Sequence, residues 1–333
     1  MDEPLPPPLL PSPPIDKQQN GVAGFWRRLC AFLIDTTILG LPAFVLGIFL
    51  FDTFANLGVW GRPLGFGVAL LYFGIGNSSL SRGQTLGKWI MGIRVVDSHD
   101  ALISCPRSFL RYSVLGAPYF LNGALISPQI LTGWVAVATS VVVFGMGLSI
   151  VYLFVFNRRN RRSLHDLIAG TYVIKAAGFS SVEKRRTWPG HYVVVILLFS
   201  ASIVAPFLLR PLADKTPFRE LLTLQKDLVA QPDVRAAALN AGTTVFWGTG
   251  GKQNSTYLVA TIHSARRIDD YDAFAAKMAQ VIFENYPDAI RKDRVVITIS
   301  YGYDIGLAWA NLQRGYNLSP AEWRERIKPS SAR

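Results

Sequence analysis

The chain has 333 residues, of which 50% are apolar and 17% charged, whereas a typical soluble domain has about 25% charged residues. Its 34 basic and 22 acidic residues leave a net charge of +12. These values exclude an ordinary soluble globular chain. Because the basic clusters abut apolar blocks, they point to membrane topology and anionic lipid heads and not to nucleic acid.

The chain opens with MDEPLPPPLLPSPPIDKQQN, residues 1–20. This stretch has no basic start, long apolar run or small-residue cleavage site, so it reads as a disordered, proline-rich cytoplasmic tail and not as a secretory signal. Five apolar blocks follow, to be sized against the roughly 20 helical residues that cross a hydrocarbon core. They are Phe25 to Phe51, Pro63 to Leu80, Phe109 to Ile126, Gly133 to Phe156 and His191 to Leu209. The third is interrupted by Arg111 and Pro118, and a helix lying in the interface is its alternative reading. Arginines and lysines gather at the entrance to the first block, between the second and third, and between the fourth and fifth, while the loops near Asp52 to Arg62 and Ser127 to Thr132 are almost free of them. Five spans then put the amino terminus in the cytoplasm and the carboxy-terminal domain outside.

Within the first block, Arg28, Ala31 and Asp35 lie at i, i+3 and i+7 and share one helix face. Arg28 can snorkel to the headgroups, but Asp35 lies about two turns deeper on a short side chain and needs a partner inside the bundle. Two readings of it stay open: a structural ion pair or hydrogen-bonded node, and a carboxylate that handles an ion or a proton.

Two further segments belong to the cytoplasmic side. In SRGQTLGKWIMGIRVVDSHDALIS, Ser81 to Ser104, a glycine-punctuated connection leads to the β-branched run Ile93 to Val96. In RRNRRSLHDLIAGTYVIKA, Arg158 to Ala176, a basic cluster precedes His165, Asp166 and the strand-like Thr171 to Ile174. The two β-like pieces are placed to pair as a small ladder beneath the membrane.

Arg28-x-x-Ala31-x-x-x-Asp35, GQTLGKWIMGIRVVD from Gly83 and RRSLHDLIAGTYVI from Arg161 together resemble the signature of the RDD family, named for one arginine and two aspartates. In that resemblance Arg28 is the arginine, Asp35 the first aspartate and Asp166 the second, and the three form the family motif and the candidate ion or proton site. The likeness covers about residues 21–174. It implies a multi-pass protein of the bacterial inner membrane and a transport role, exchange of monovalent cations for protons. Membrane lipids are the partners that the basic charge implies, and the oligomeric state, a homo-oligomer included, stays open. Asp166 reads more simply as an interfacial anchor that accepts hydrogen bonds from backbone amides or from Arg28.

The expected division is the tail at 1–20, an RDD-like transmembrane domain at 21–176, a basic linker and fifth transmembrane helix at 177–210, and an extracytoplasmic domain at 211–333. That last domain reads as a soluble α/β module, so the fold class is a membrane helical bundle of about five transmembrane helices plus a C-terminal α/β (α+β) domain. Its order is α-β-β-α-β-β: helices at Thr216 to Ala230 and Asp269 to Tyr286, strands at Thr243 to Trp247, Thr256 to His263, Arg294 to Tyr301 and Ile305 to Leu312. Gly248 to Asn254 reads as a hairpin loop, without P-loop spacing. The tyrosine-rich YGYDIGLAW, Tyr301 to Trp309, is either a hairpin packing on its own core or an aromatic surface for a partner.

Nothing in the spacing of Cys30, Cys105 and the four histidines suits a metal, and no nucleophile stands with the His263, Arg266 and Asp269 corner to complete a triad. No enzyme activity, cofactor or metal is expected. The functional expectation is a transporter of monovalent cations and protons; the alternative is a membrane-anchored scaffold or assembly factor whose outer domain binds a protein or ligand.

Overall fold

The computed structural model describes residues 21–124, 133–176, 186–248 and 251–327. The proline-rich tail at 1–20, the loop near Ser127 to Thr132, the linker residues Lys184 and Arg185, and Thr249 and Gly250 of the glycine loop lie outside the described residues.

Two apolar stretches form single long helices, α1 (Phe25–Phe49), which is followed by the short α2 (Phe51–Leu57), and α9 (Pro189–Ala213). A third runs from α6 (Gly133–Ser140) through a π-helical turn at Val141–Met146 into α7 (Gly147–Phe156). These 3 helices are long and apolar enough to cross a membrane. The second and third expected spans are shorter helices, α3 (Gly61–Gly76) with 16 residues and α5 (Cys105–Leu121) with 17. At 1.5 Å per residue they reach only about 24 to 26 Å of a ~30 Å hydrocarbon core. Length and composition therefore mark three spans of the five expected. Arg111, which interrupts the apolar run of α5, is buried.

A small platform closes one end of the bundle. It is built from α4 (Leu86–Ile90), β1 (Ile93–Val96), α8 (Leu164–Ile168) and β2 (Tyr172–Lys175). The β-branched runs pair antiparallel, with Ile93 opposite Lys175 and Val96 opposite Tyr172. The chain entering α1 joins them, since Ala23 N donates to Val173 O at 2.8 Å. Ala23, Ala31, Ile93, Val95 and Val173 form one buried cluster, so the ladder fixes the depth at which α1 begins.

Beyond α9 come α10 (Phe218–Val229), β3 (Val234–Gly248), β4 (Gly251–Ser264), α11 (Tyr271–Asn285), β5 (Arg294–Asp304), β6 (Trp309–Leu318) and α12 (Pro320–Ile327). The sheet order is β3-β4-β5-β6, antiparallel except for β4 and β5, whose parallel pairing needs the crossover that α11 provides. Leu224, Leu228, Met278, Ile282 and Trp323 from the three helices share a core with Leu258, Ile262 and Ile297 of the sheet. The helices thus cover one sheet face, and α12 extends the expected order. Asn254 is no loop residue: it pairs with Val245, and the β3–β4 ladder continues to Gly248 opposite Gly251.

The β5–β6 tip departs from the sequence reading in two ways. Ile305 to Ala308 turns and does not continue as a strand. Asp304 Oδ1 accepts from Gly306 N at 2.8 Å and Ile305 N donates to Ala308 O at 3.0 Å. The tyrosine-rich stretch packs neither on its own domain's core nor on a free surface. Tyr301, Tyr303, Ile305 and Ala308 cluster instead with Ala43 of α1 and with Phe51, Phe54 and Ala55 of α2.

The tip therefore enters the bundle at the end opposite the platform. A Cβ added at Gly65 of α3 would lie 1.7 Å from the Ile305 carbonyl oxygen, so the close approach needs glycine there. Arg62 Nη2 pairs with Asp304 Oδ2 at 2.7 Å, Tyr301 OH donates to Asp52 Oδ1 at 2.8 Å, and Tyr119 OH donates to Gly306 O at 2.9 Å. Irregular backbone among such helices is stable only where protein surrounds and satisfies it, as here.

Candidate functional site

The shared face of α1 is buried throughout: Arg28 is 8% exposed, Ala31 1% and Asp35 0%. Arg28 meets α8 and its approach, while Ala31 and Asp35 meet the start of α4, and two carboxylate nodes result.

The first node is Asp166. It stands in the first turn of α8, where it forms a capping box with Ser163, so the local sequence helps to place it. Arg28 Nη2 reaches its Oδ2 at 2.5 Å. Arg111 of α5 donates to Oδ1 through Nε at 3.0 Å and Nη2 at 2.8 Å, and Thr171 Oγ1 adds a bond at 3.1 Å. Arg28 also donates to the Arg161 carbonyl. Burial alone pushes this carboxyl up, but the guanidinium of Arg28, backed by Arg111, holds it well below the usual carboxylate range. Neighbouring His165 is driven by burial down to about 3 against the pull of Asp166, so its ring is neutral at physiological pH.

The second node is Asp35. Thr85 Oγ1 donates to its Oδ2 at 2.5 Å, and Tyr72 OH and Gly87 N both donate to its Oδ1 at 2.7 Å. Thr85 is also the N-cap of α4, so the loop that starts α4 delivers both the cap and the carboxylate's partner. A Cβ on Gly87 would lie 2.2 Å from Ala31 O and 2.9 Å from the Asp35 carboxylate, which explains a glycine and a small residue at this crossing. Lys88 Nζ lies 4.0 Å from Asp35 Oδ2 and 3.3 Å from Thr85 Oγ1. Its side chain is only 11% exposed, and burial followed by the charge of Arg111 lowers it to about 7.

Between the nodes lies a cavity of about 270 Å³ whose wall includes Arg28, Lys88, Arg111 and His165. Of the motif residues only Arg28 lines this space; Asp166 and Asp35 stand behind it, each held by its own set of partners. Sequence reasoning missed Tyr72 and Thr85, read Lys88 only as one of the basic residues that set topology, and read Arg111 as such a residue and as an interruption of the third block. The available signal was a charge inside an apolar block, which needs an opposite charge nearby.

The RDD family model matches residues 22–170. The chain is 30% identical over 154 residues to "Uncharacterized protein YckC" of Bacillus subtilis (strain 168), covering 46% of this chain and 85% of that protein. It is 25% identical over 173 residues to "Uncharacterized protein YxaI" of the same organism, covering 46% of this chain and 96% of that protein. No solved structure matches. Arg28, Asp35, Lys88, Arg111 and Asp166 all lie inside the matched segment, whereas α9 and the C-terminal sheet lie outside it. Through that segment, which carries both carboxylate nodes, the chain belongs to the RDD family.

Proposed function

We propose that the protein is an integral membrane transporter that exchanges a monovalent cation for a proton, with Asp35 and Lys88 as the exchanging pair. The observation that carries this reading is a buried lysine standing 4.0 Å from a fully buried aspartate. A cation arriving at Asp35 takes the counter-charge that the Lys88 ammonium uses, and the oxygens of Thr85 and Tyr72 beside the same carboxylate are further ligands for it. Lys88 is then left facing Arg28 and Arg111 with its partner engaged, and Nζ releases its proton. One cation is bound and one proton is lost. Reprotonation of Nζ restores the ammonium, which competes for Asp35 and expels the cation.

In this reading five helices cross the bacterial inner membrane, α3 and α5 being short enough to thin the bilayer locally. The lysine and arginine asymmetry supports a cytoplasmic platform and an extracytoplasmic C-terminal domain. The seated β5–β6 tip supports that domain as a closure on the transport bundle. The rival reading, a scaffold whose outer domain recruits a partner, is separated by the same experiment.

The experiment is cation-driven proton movement in proteoliposomes holding purified wild type or Asp35→Asn, each checked for folding. Wild type should move protons when a cation gradient is imposed, and the variant should not. Absence of movement in folded wild type would favour the scaffold, and unchanged movement in Asp35→Asn would remove the carboxylate from the mechanism.

A further inference from the structure

We infer that the cleft between α1 and α7 is a binding site for an anionic membrane lipid, with the phosphate-bearing head at the basic cavity and one acyl chain along the apolar groove that adjoins it. This goes beyond the exchange reaction; the two share Lys88 and the neighbouring Arg28 and Arg111, but not Asp35.

Two spaces form the cleft. The basic cavity, about 270 Å³, has Arg28, Lys88, Arg111 and His165 as the ionisable residues of its wall. Neither Asp35 nor Asp166 lines it; both stand behind their partners. With Lys88 protonated, three cations face two carboxylates, so the wall keeps an uncompensated positive charge. The buried His165 also has an Nδ1 with no hydrogen-bond partner among the described residues. A zwitterionic lipid brings its own positive group to this wall and is repelled there. An anionic phosphate is drawn in, as at basic pockets between helices generally.

The second space, about 680 Å³, is walled partly by the same Phe32, Phe73, Leu115, Ile150 and Val151, so the two adjoin. Along α1 the cleft runs from Arg28 to Leu39, about 16 Å at 1.5 Å per residue, close to half of a ~30 Å hydrocarbon core. That is the depth of one leaflet. Gly306 and Leu307 of the β5–β6 tip stand at its far end. Its rim is open sideways: Phe32 is 41% exposed and Val151 61%. A groove of one-leaflet length, basic at the surface end and apolar toward the middle, fits a lipid of that leaflet and does not fit a free polar anion.

The test uses the purified, delipidated full chain and native mass spectrometry with dioleoyl phosphatidic acid, dioleoyl phosphatidylcholine and inorganic phosphate. Phosphatidic acid should bind about tenfold more tightly than phosphatidylcholine, the attraction expected of one or two basic side chains. Val151→Trp, which fills the exposed rim, should weaken phosphatidic acid about tenfold, while Val151→Ala should not. Inorganic phosphate at equal concentration should fail to displace the lipid. Equal binding of the two lipids, wild-type binding by Val151→Trp, or displacement by phosphate alone would each overturn the assignment. Exchange is read by flux and this site by lipid retention, so either can fail without the other.

Discussion

Replacing Asp166 with alanine should destabilise the folded protein by about 3 to 5 kcal/mol, the cost of removing one partner from a buried ion pair. Asp166 is 0% exposed and answers two guanidinium groups, Arg28 at 2.5 Å and Arg111 at 2.8 Å. Without it, two buried arginines lose their counter-charge, and α8 loses its capping box, worth about a further 1 kcal/mol. Against a total stability of roughly 5 to 15 kcal/mol, that loss is large. Asp166→Asn keeps the shape but not the charge and should still fall well below wild type. Arg159→Ala, at an exposed position of the same basic cluster, should stay within about 0.5 kcal/mol. Thermal unfolding in detergent micelles checks the series, and a wild-type melting temperature for Asp166→Ala would mean that the arginines are satisfied elsewhere.

Gly65→Val should expel the β5–β6 tip from the bundle. The first atom of any side chain at this position would sit 1.7 Å from the Ile305 carbonyl oxygen and 2.9 Å from its carbon, and both are backbone atoms that no rotamer change can move. Overpacking that side-chain shifts can absorb typically costs about 1 to 3 kcal/mol; a 1.7 Å contact with backbone lies beyond that range, so it is relieved by withdrawing the tip. Withdrawal gives up the Arg62 to Asp304 pair and the Tyr301 to Asp52 hydrogen bond. It also uncovers the buried side chains of Tyr303 and of Ile305, the latter worth about 1.5 to 3 kcal/mol when fully buried. Hydrogen exchange reads this directly. The Ile305 and Gly306 amides, bonded to Ala308 O and Asp304 Oδ1, should be protected in wild type and exchange freely in the variant. Equal protection in both would show that the tip accommodates the side chain in place.

The two nodes were unequally legible in the sequence. Arg28, Ala31 and Asp35 lie within one helix, so their common face follows from a helical period and needs no tertiary knowledge. The β1–β2 ladder was legible because β-branched runs declare themselves locally. Lys88 and Thr85 reach Asp35 across about 50 positions, and Arg111 reaches Asp166 across 55; no local pattern records such meetings. The seating of the tip was hidden for a different reason. Glycines in α3 suit close helix packing as well as they suit an inserted turn, and tyrosines alternating with small residues suit a sheet's own core. Only the meeting of the two segments distinguishes these cases.

The most direct test of the exchange pair is the pH dependence of cation half-saturation in proteoliposomes, compared between wild type and Lys88→Met. Lys88, lowered to about 7, is protonated below that pH and neutral above it; under the proposed exchange, protons then compete with the cation for Asp35 only on the acid side. Wild type should need about tenfold more cation for each pH unit below that value and should level off above it, following one proton per cation. Lys88→Met, with no proton to release, should lose this dependence. The same acid-side dependence in Lys88→Met and in wild type would contradict the pairing of Lys88 with Asp35 as the exchanging element.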